Sequence, residues 1–223
     1  LLVGQAYTPT VQFLSNQVYG GDAGLLGAGQ FYRGRVPMIQ LKFGGFKVAL
    51  VDPNANAAIS GTGWTSVDTE TTLPQLEASY RFSTDMFWVE PLAGYTTYDT
   101  VRNNGDSEGV DSWVAGVYAG VNFGPATLKG GGYMAQNSGT YGVWQGVSAA
   151  ATLNGGNPIY ANGGIQDNDE MGAVFVAAFK ISDMLGFEAG VGYKNNEIEV
   201  AGFSAETEIF NYYAQLPITL ADG

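Results

Sequence analysis

Four short turns punctuate the chain, and each joins two apolar runs of period-2 patterning. They are Phe43-Gly44-Gly45-Phe46, Phe82-Ser83-Thr84-Asp85-Met86, Phe123-Gly124-Pro125-Ala126 and Ile181-Ser182-Asp183-Met184. Long polar or Gly-rich stretches lie between them, at 8–33, 53–72, 99–110, 136–169 and 195–205. Tight turns and long stretches alternate without exception. A turn this short joins only antiparallel neighbours, because a parallel crossover takes about a dozen residues or more. The rhythm predicts an up-and-down antiparallel sheet with its tight turns at one end and its long loops at the other. A transmembrane β-barrel, with short turns on one side of the bilayer and longer loops on the other, has this rhythm too.

Ten strands are expected, at 1–7, 35–43, 46–52, 73–82, 86–98, 112–123, 126–135, 171–181, 185–194 and 206–220, each judged by alternation. In 112–123, Trp113, Ala115, Val117, Ala119, Val121 and Phe123 share one face, and Ser112, Gly116, Tyr118, Gly120 and Asn122 the other, with Val114 the only aliphatic there. A soluble sandwich alternates in the same way. Strand length separates the two readings: several runs reach ten residues, near the ~9–11 of a tilted membrane strand and above the ~5–6 usual in soluble sheets. Aromatic placement points the same way. Phe43, Phe46, Phe82, Phe87, Phe123 and Phe187 crowd the tight turns, while Tyr95, Trp113, Tyr193 and Tyr212 lie toward the loops, as two interfacial girdles would.

Charged residues make up 13% of the 223-residue chain, well below the ~25% of an ordinary soluble domain. With 33 Gly, 13 Tyr and 12 Phe, this composition suits a wall that is half lipid-facing and half wet. The length fits one domain, residues 1–223. A net charge of −12 argues against nucleic acid as a partner. Without Cys or His, the chain has no disulfide, no thiolate or imidazole metal site and no His-dependent catalysis. We therefore expect neither an enzyme nor a cofactor. No run reaches 18 apolar residues, so no helical span is expected, and both ends of the chain read as internal cuts.

Facing lipid, each charge would cost about 2–4 kcal/mol near the bilayer midplane. The alternation instead assigns Glu77, Arg81, Glu90, Lys129, Glu188 and Lys194 to the inner face, as lumen-lining residues. It assigns Leu76, Tyr80, Phe87, Trp113, Val117, Val121, Phe175, Phe187 and Val191 to the outer face. The first long stretch, 8–33, is unusually apolar for a loop, with Val11, Phe13, Leu14, Val18, Tyr19, Leu25 and Leu26. Such a loop is expected to fold against an inner wall rather than into water.

The series Gly4-Gln5-Ala6-Tyr7, then Tyr19-Gly20-Gly21-Asp22, then Arg33-Gly34-Arg35, a strand, and Gly44-Gly45-Phe46 resembles the general trimeric porins of the bacterial outer membrane. The resemblance is strongest over residues 1–52 and architectural beyond. It implies a sixteen-stranded barrel of which this chain supplies about ten strands, entering near the fifth and stopping two early. It implies a water-filled channel for small hydrophilic solutes and ions, in a homotrimer contacting membrane lipid and lipopolysaccharide in a Gram-negative outer membrane. The inward-folded loop would form the constriction. Asp22 matches its acidic position, Arg35 the basic wall residue with Arg33 beside it, and Lys42 and Lys47 complete the basic group. The chain departs from the family pattern in carrying one acid in that loop, amid apolar residues.

Two acidic stretches, one with Asp106, Glu108 and Asp111 and one with Asp167 and Asp169, offer oxygen ligands of the kind Ca²⁺ takes, without EF-hand spacing. The default for them is solvated loop. Other functions fit the pattern as well: a barrel that sheathes or anchors a partner protein, and a soluble β-rich surface or binding protein.

Overall fold

The computed structural model describes residues 1–17, 25, 27–53, 59–61, 64–102, 104–143, 153–200 and 203–220. Fifteen strands follow in chain order. The first seven are β1 (Leu2–Ala6), β2 (Val36–Phe43), β3 (Phe46–Val51), β4 (Ser60–Gly61), β5 (Trp64–Glu70), β6 (Gln75–Tyr80) and β7 (Phe82–Ser83). The rest are β8 (Phe87–Arg102), β9 (Ser107–Phe123), β10 (Ala126–Gln136), β11 (Ile159–Ala161), β12 (Gly164–Gln166), β13 (Asn168–Lys180), β14 (Gly186–Val200) and β15 (Phe203–Gln215). Ten of them form one continuous antiparallel path, β1-β2-β3-β6-β8-β9-β10-β13-β14-β15, with no crossover. β1 and β15 do not pair with each other, so the sheet is open among the described residues.

The tight turns sit where the sequence places them, with Phe43 opposite Phe46, Phe123 opposite Ala126 and Phe179 opposite Phe187. Two of the five long stretches, however, are not loops. β8 and β9 continue in register through Asp99↔Gly109 to Val101↔Ser107. β14 and β15 continue to Val200↔Phe203. The loop end therefore carries close hairpin connections too, and the strict alternation does not hold. Asp99, Glu108, Glu197 and Glu206 erase the apolar period there, while the backbone ladder, which does not depend on side-chain polarity, runs on.

Within 53–72, β5 extends the line of β6 along β8, with a register shift between Ser66 and Asp68. Within 136–169, 3-10 turns at Ser138–Tyr141 and Leu153–Gly156 precede the small β11–β12 hairpin. A single parallel bridge, Tyr160↔Gly61, links these two stretches.

The sheet has two unlike faces. On the outer one Leu76, Tyr80, Phe87, Trp113, Val117, Phe175, Phe187 and Val191 are all exposed, together with Ile39, Leu41, Leu50, Met134, Met171, Phe179 and Phe210. A contiguous apolar surface on this scale is foreign to a soluble monomer. Along β9 the outer apolar positions run from Phe123 to Trp113, and Asp111 follows. Ten residue steps span about 33 Å of strand. At the ~40° tilt usual for barrel strands that would be about 25 Å of height, similar to the apolar band that outer-membrane barrels carry.

Polar residues bound this band at the loop end on adjacent strands: Asp111, Gln136, Asp169, Asn195 and Glu208. Gln136 faces Asp169, and Asn195 faces Glu208, across the ladder. Tyr95 and Tyr193 lie at this border, and their hydroxyls donate to Asp111 (2.6 Å) and Glu208 (2.6 Å).

The inner face holds the main core. Leu14, Leu25 and Phe31 of the first loop pack with Leu92, Val114, Tyr118, Tyr133, Val174 and Val176 of the wall, and with Tyr141 and Val143 of the 136–169 stretch. Glycine makes this approach possible. A Cβ on Gly192 would lie 2.0 Å from the Ala28 carbonyl oxygen, and one on Gly29, itself at φ +90°, 2.0 Å from that of Ala173.

Candidate functional site

The first loop is fastened to the inner wall by side chains from five strands. Glu77 on β6 is fully buried. One of its oxygens accepts the Thr10 backbone N–H (3.2 Å) and hydroxyl (2.5 Å). The other accepts Gln75 Nε2 (2.6 Å) and faces Arg33 Nη1 at 3.4 Å. Across the sheet, Glu188 on β14 accepts the Asn16 backbone N–H (2.9 Å), Asn16 Nδ2 (2.7 Å) and the Tyr213 hydroxyl.

Between these anchors, Lys129 on β10 donates to the Leu14 carbonyl (3.1 Å). On β9, Tyr118 donates to the Gly29 carbonyl (3.1 Å) and accepts the Phe31 N–H (3.2 Å). The loop also ties itself together, as the Leu14 N–H donates to Gln30 Oε1 (2.6 Å). Segments that would otherwise bury unpaired backbone groups thus find their partners on the wall, as buried polar groups require.

Two further charge groups flank the loop. Toward the tight turns, buried Glu90 accepts Lys47 (3.2 Å), Ser79 (3.0 Å) and Arg81. The Arg81 guanidinium also lies 4.2 Å from the Trp88 ring centre. Lys42 stands directly opposite Lys47 in the β2–β3 ladder and is exposed. This end of the inner wall therefore has two cations on one carboxylate, with Lys42 beside one of them. Toward the loop end, Lys194 pairs with Glu170 at 3.1 Å, both buried. Glu170 also accepts Ser138 (2.6 Å), Asn196 (2.7 Å) and the Tyr133 hydroxyl.

The structure distributes the expected constriction residues unevenly. Arg33 is buried against Glu77. Burial lowers its guanidinium below the usual value, with Glu77 and Tyr141 acting against that. Arg35 is exposed, its guanidinium 5.1 Å from the centre of the Tyr7 ring. Asp22 lies outside the described residues, as do Val18, Tyr19 and Leu26. Of the expected lumen-lining set, Glu77, Glu90, Glu188 and Lys194 are buried, Lys129 is half-buried and Arg81 is exposed.

Sequence reasoning gave Tyr118, Tyr133 and Glu170 no role at the site. Each falls on the inner side of a strand, and that parity is the signal that could have found them. Four of the five candidate calcium ligands, Asp106, Asp111, Asp167 and Asp169, have other partners. Asp106 takes Arg102 (3.3 Å) and Asn104 (2.7 Å), Asp167 takes Asn137 (2.7 Å), and Asp169 takes Gln136 (2.9 Å). Among the described residues no group of three or more acidic side chains is placed to share a metal ion.

No family model, no curated protein and no solved structure matches the chain.

Proposed function

We propose that this chain forms much of the wall of a water-filled β-barrel channel of the bacterial outer membrane, of the general porin type. Small hydrophilic solutes and ions diffuse through it, and the inward-folded first loop narrows the passage. The observation that carries this reading is the inversion of the sheet. Its exposed face is apolar over about 25 Å and bordered by aromatic and then polar residues. Its covered face carries Glu77, Glu90, Glu170 and Glu188 with their donors. A soluble β-protein puts these faces the other way round.

On this reading the passage runs along the side of the loop away from the wall. Lys42, Lys47 and Arg81, with Arg35, supply basic charge to that passage, and charged rings of this kind bias ion preference. A closed barrel, a trimer, and contacts with lipid and lipopolysaccharide belong to the same proposal. The test is twofold. Folded protein should migrate faster than heated protein on a detergent gel, and addition to a planar bilayer should give stepwise conductance. Soluble, detergent-free monomers with no conductance would refute it.

A further inference from the structure

Phe13 stands out on the first loop. Its neighbours Gln12 and Leu14 are buried, yet Phe13 is 51% exposed. Leaving a large apolar side chain in water forgoes about 1.5–3 kcal/mol, in a loop that buries most of its other apolar groups. The ring is nevertheless held in place. It meets Tyr7 edge-on (centroids 4.9 Å, 78°) and Tyr32 edge-on (5.4 Å, 70°), and Tyr7 and Tyr32 lie 6.2 Å apart. Tyr7 is itself exposed, and the Arg35 guanidinium lies over its ring, 5.1 Å from the centre. Burial and a hydrogen bond with Tyr7 raise the Tyr32 phenol above its usual value.

We propose that Tyr7, Phe13, Tyr32 and Arg35 form a saccharide-binding subsite on the open side of the loop. The inference rests on the channel reading above and names a solute class for it. An aromatic face is electron-rich and suits the slightly positive C–H face of a pyranose ring. The Tyr7–Tyr32 hydrogen bond leaves one phenol O–H free, and it and the guanidinium at the edge supply donors for the ring's hydroxyls and oxygens. The four side chains include no carboxylate, and the Arg35 guanidinium already occupies the cation-attracting Tyr7 ring and repels a second positive charge, so the patch suits a neutral sugar.

The test is block of single-channel current by maltotriose in a planar bilayer, with a polyethylene glycol of similar size as the non-sugar probe. Maltotriose should interrupt the current with measurable dwell times, and the glycol should not. Phe13→Ala should shorten those dwells roughly two- to tenfold, the range of one aromatic contact, and Phe13→Trp should restore or lengthen them. Channels that conduct but are blocked equally by the two probes would overturn the subsite and leave the channel standing. So would dwell times indifferent to Phe13→Ala. Absence of any conductance would overturn both.

Discussion

The Glu77–Arg33 pair is the sharpest test of how the loop is held. Both side chains are buried, at 0% and 2% exposure, and the separation is 3.4 Å. Removing one partner of such a pair strands the other charge in a poorly solvated site, at about 3–5 kcal/mol. Glu77→Gln keeps the shape and leaves the Arg33 cation unpaired. Arg33→Met leaves Glu77 with only the neutral donors of Thr10 and Gln75. Each single change should therefore destabilise by about 3 kcal/mol or more. The double variant strands no charge, so it should lose far less than the sum of the two, with a coupling of at least about 2 kcal/mol. Urea unfolding in lipid vesicles, followed by tryptophan fluorescence, measures all four corners of the cycle. Additivity within about 0.5 kcal/mol, or single changes costing under about 1 kcal/mol, would refute the claim that this pair bolts the loop to the wall.

Other outcomes follow from the same geometry. Val117→Lys, at the middle of the outer face, should cost about 2–4 kcal/mol in a bilayer, against about ±0.5 kcal/mol if that face met water. The same unfolding assay distinguishes the two. Gly192→Ala places a methyl where the Ala28 carbonyl lies. It should loosen the loop, seen as faster proteolysis within 8–33, and unchanged cleavage would contradict the packing. Deleting residues 12–28 should raise single-channel conductance, and an unchanged value would remove the loop from the constriction. Arg35→Glu with Lys42→Glu should shift the reversal potential in a salt gradient toward cations. These two are better probes than Arg33, because both are exposed whereas Arg33 is sealed against Glu77.

Much of the sheet was legible because a half-apolar strand writes its faces into the sequence with period 2. Trp113, Val117, Phe175 and Val191 could be assigned to one side before any pairing was known. The legible part stopped where the outer residues became polar. Asp99 to Arg102 with Ser107 and Glu108, and Glu197 to Val200 with Phe203 to Glu206, look like loop, yet they are strand, since a ladder of backbone hydrogen bonds needs no apolar side chain. The inward fold of the first loop was legible from Val11, Leu14 and Leu25, which no solvated loop would carry together. Its fastenings were not. Thr10 meets Glu77 across 67 positions, Leu14 meets Lys129 across 115 and Asn16 meets Glu188 across 172. No local pattern encodes contacts that only the curvature of the whole sheet creates. Arg33 shows the consequence: its charge was legible as a candidate for the passage, while its burial depended on Glu77 of a distant strand.

The central claim is that the outer face meets lipid over a band that ends between Trp113 and Asp111. The chain has no cysteine, so single cysteines can be introduced along β9 from 109 to 123 and spin-labelled in vesicles. Accessibility to oxygen and to a water-soluble nickel chelate then reports the depth of each position. We predict high oxygen and low nickel accessibility at 113, 115, 117, 119 and 121, low accessibility to both at 114 and 118, and a change to nickel accessibility at 111 and 109. Nickel accessibility at 115, 117 and 119 would place that face in water and contradict the account.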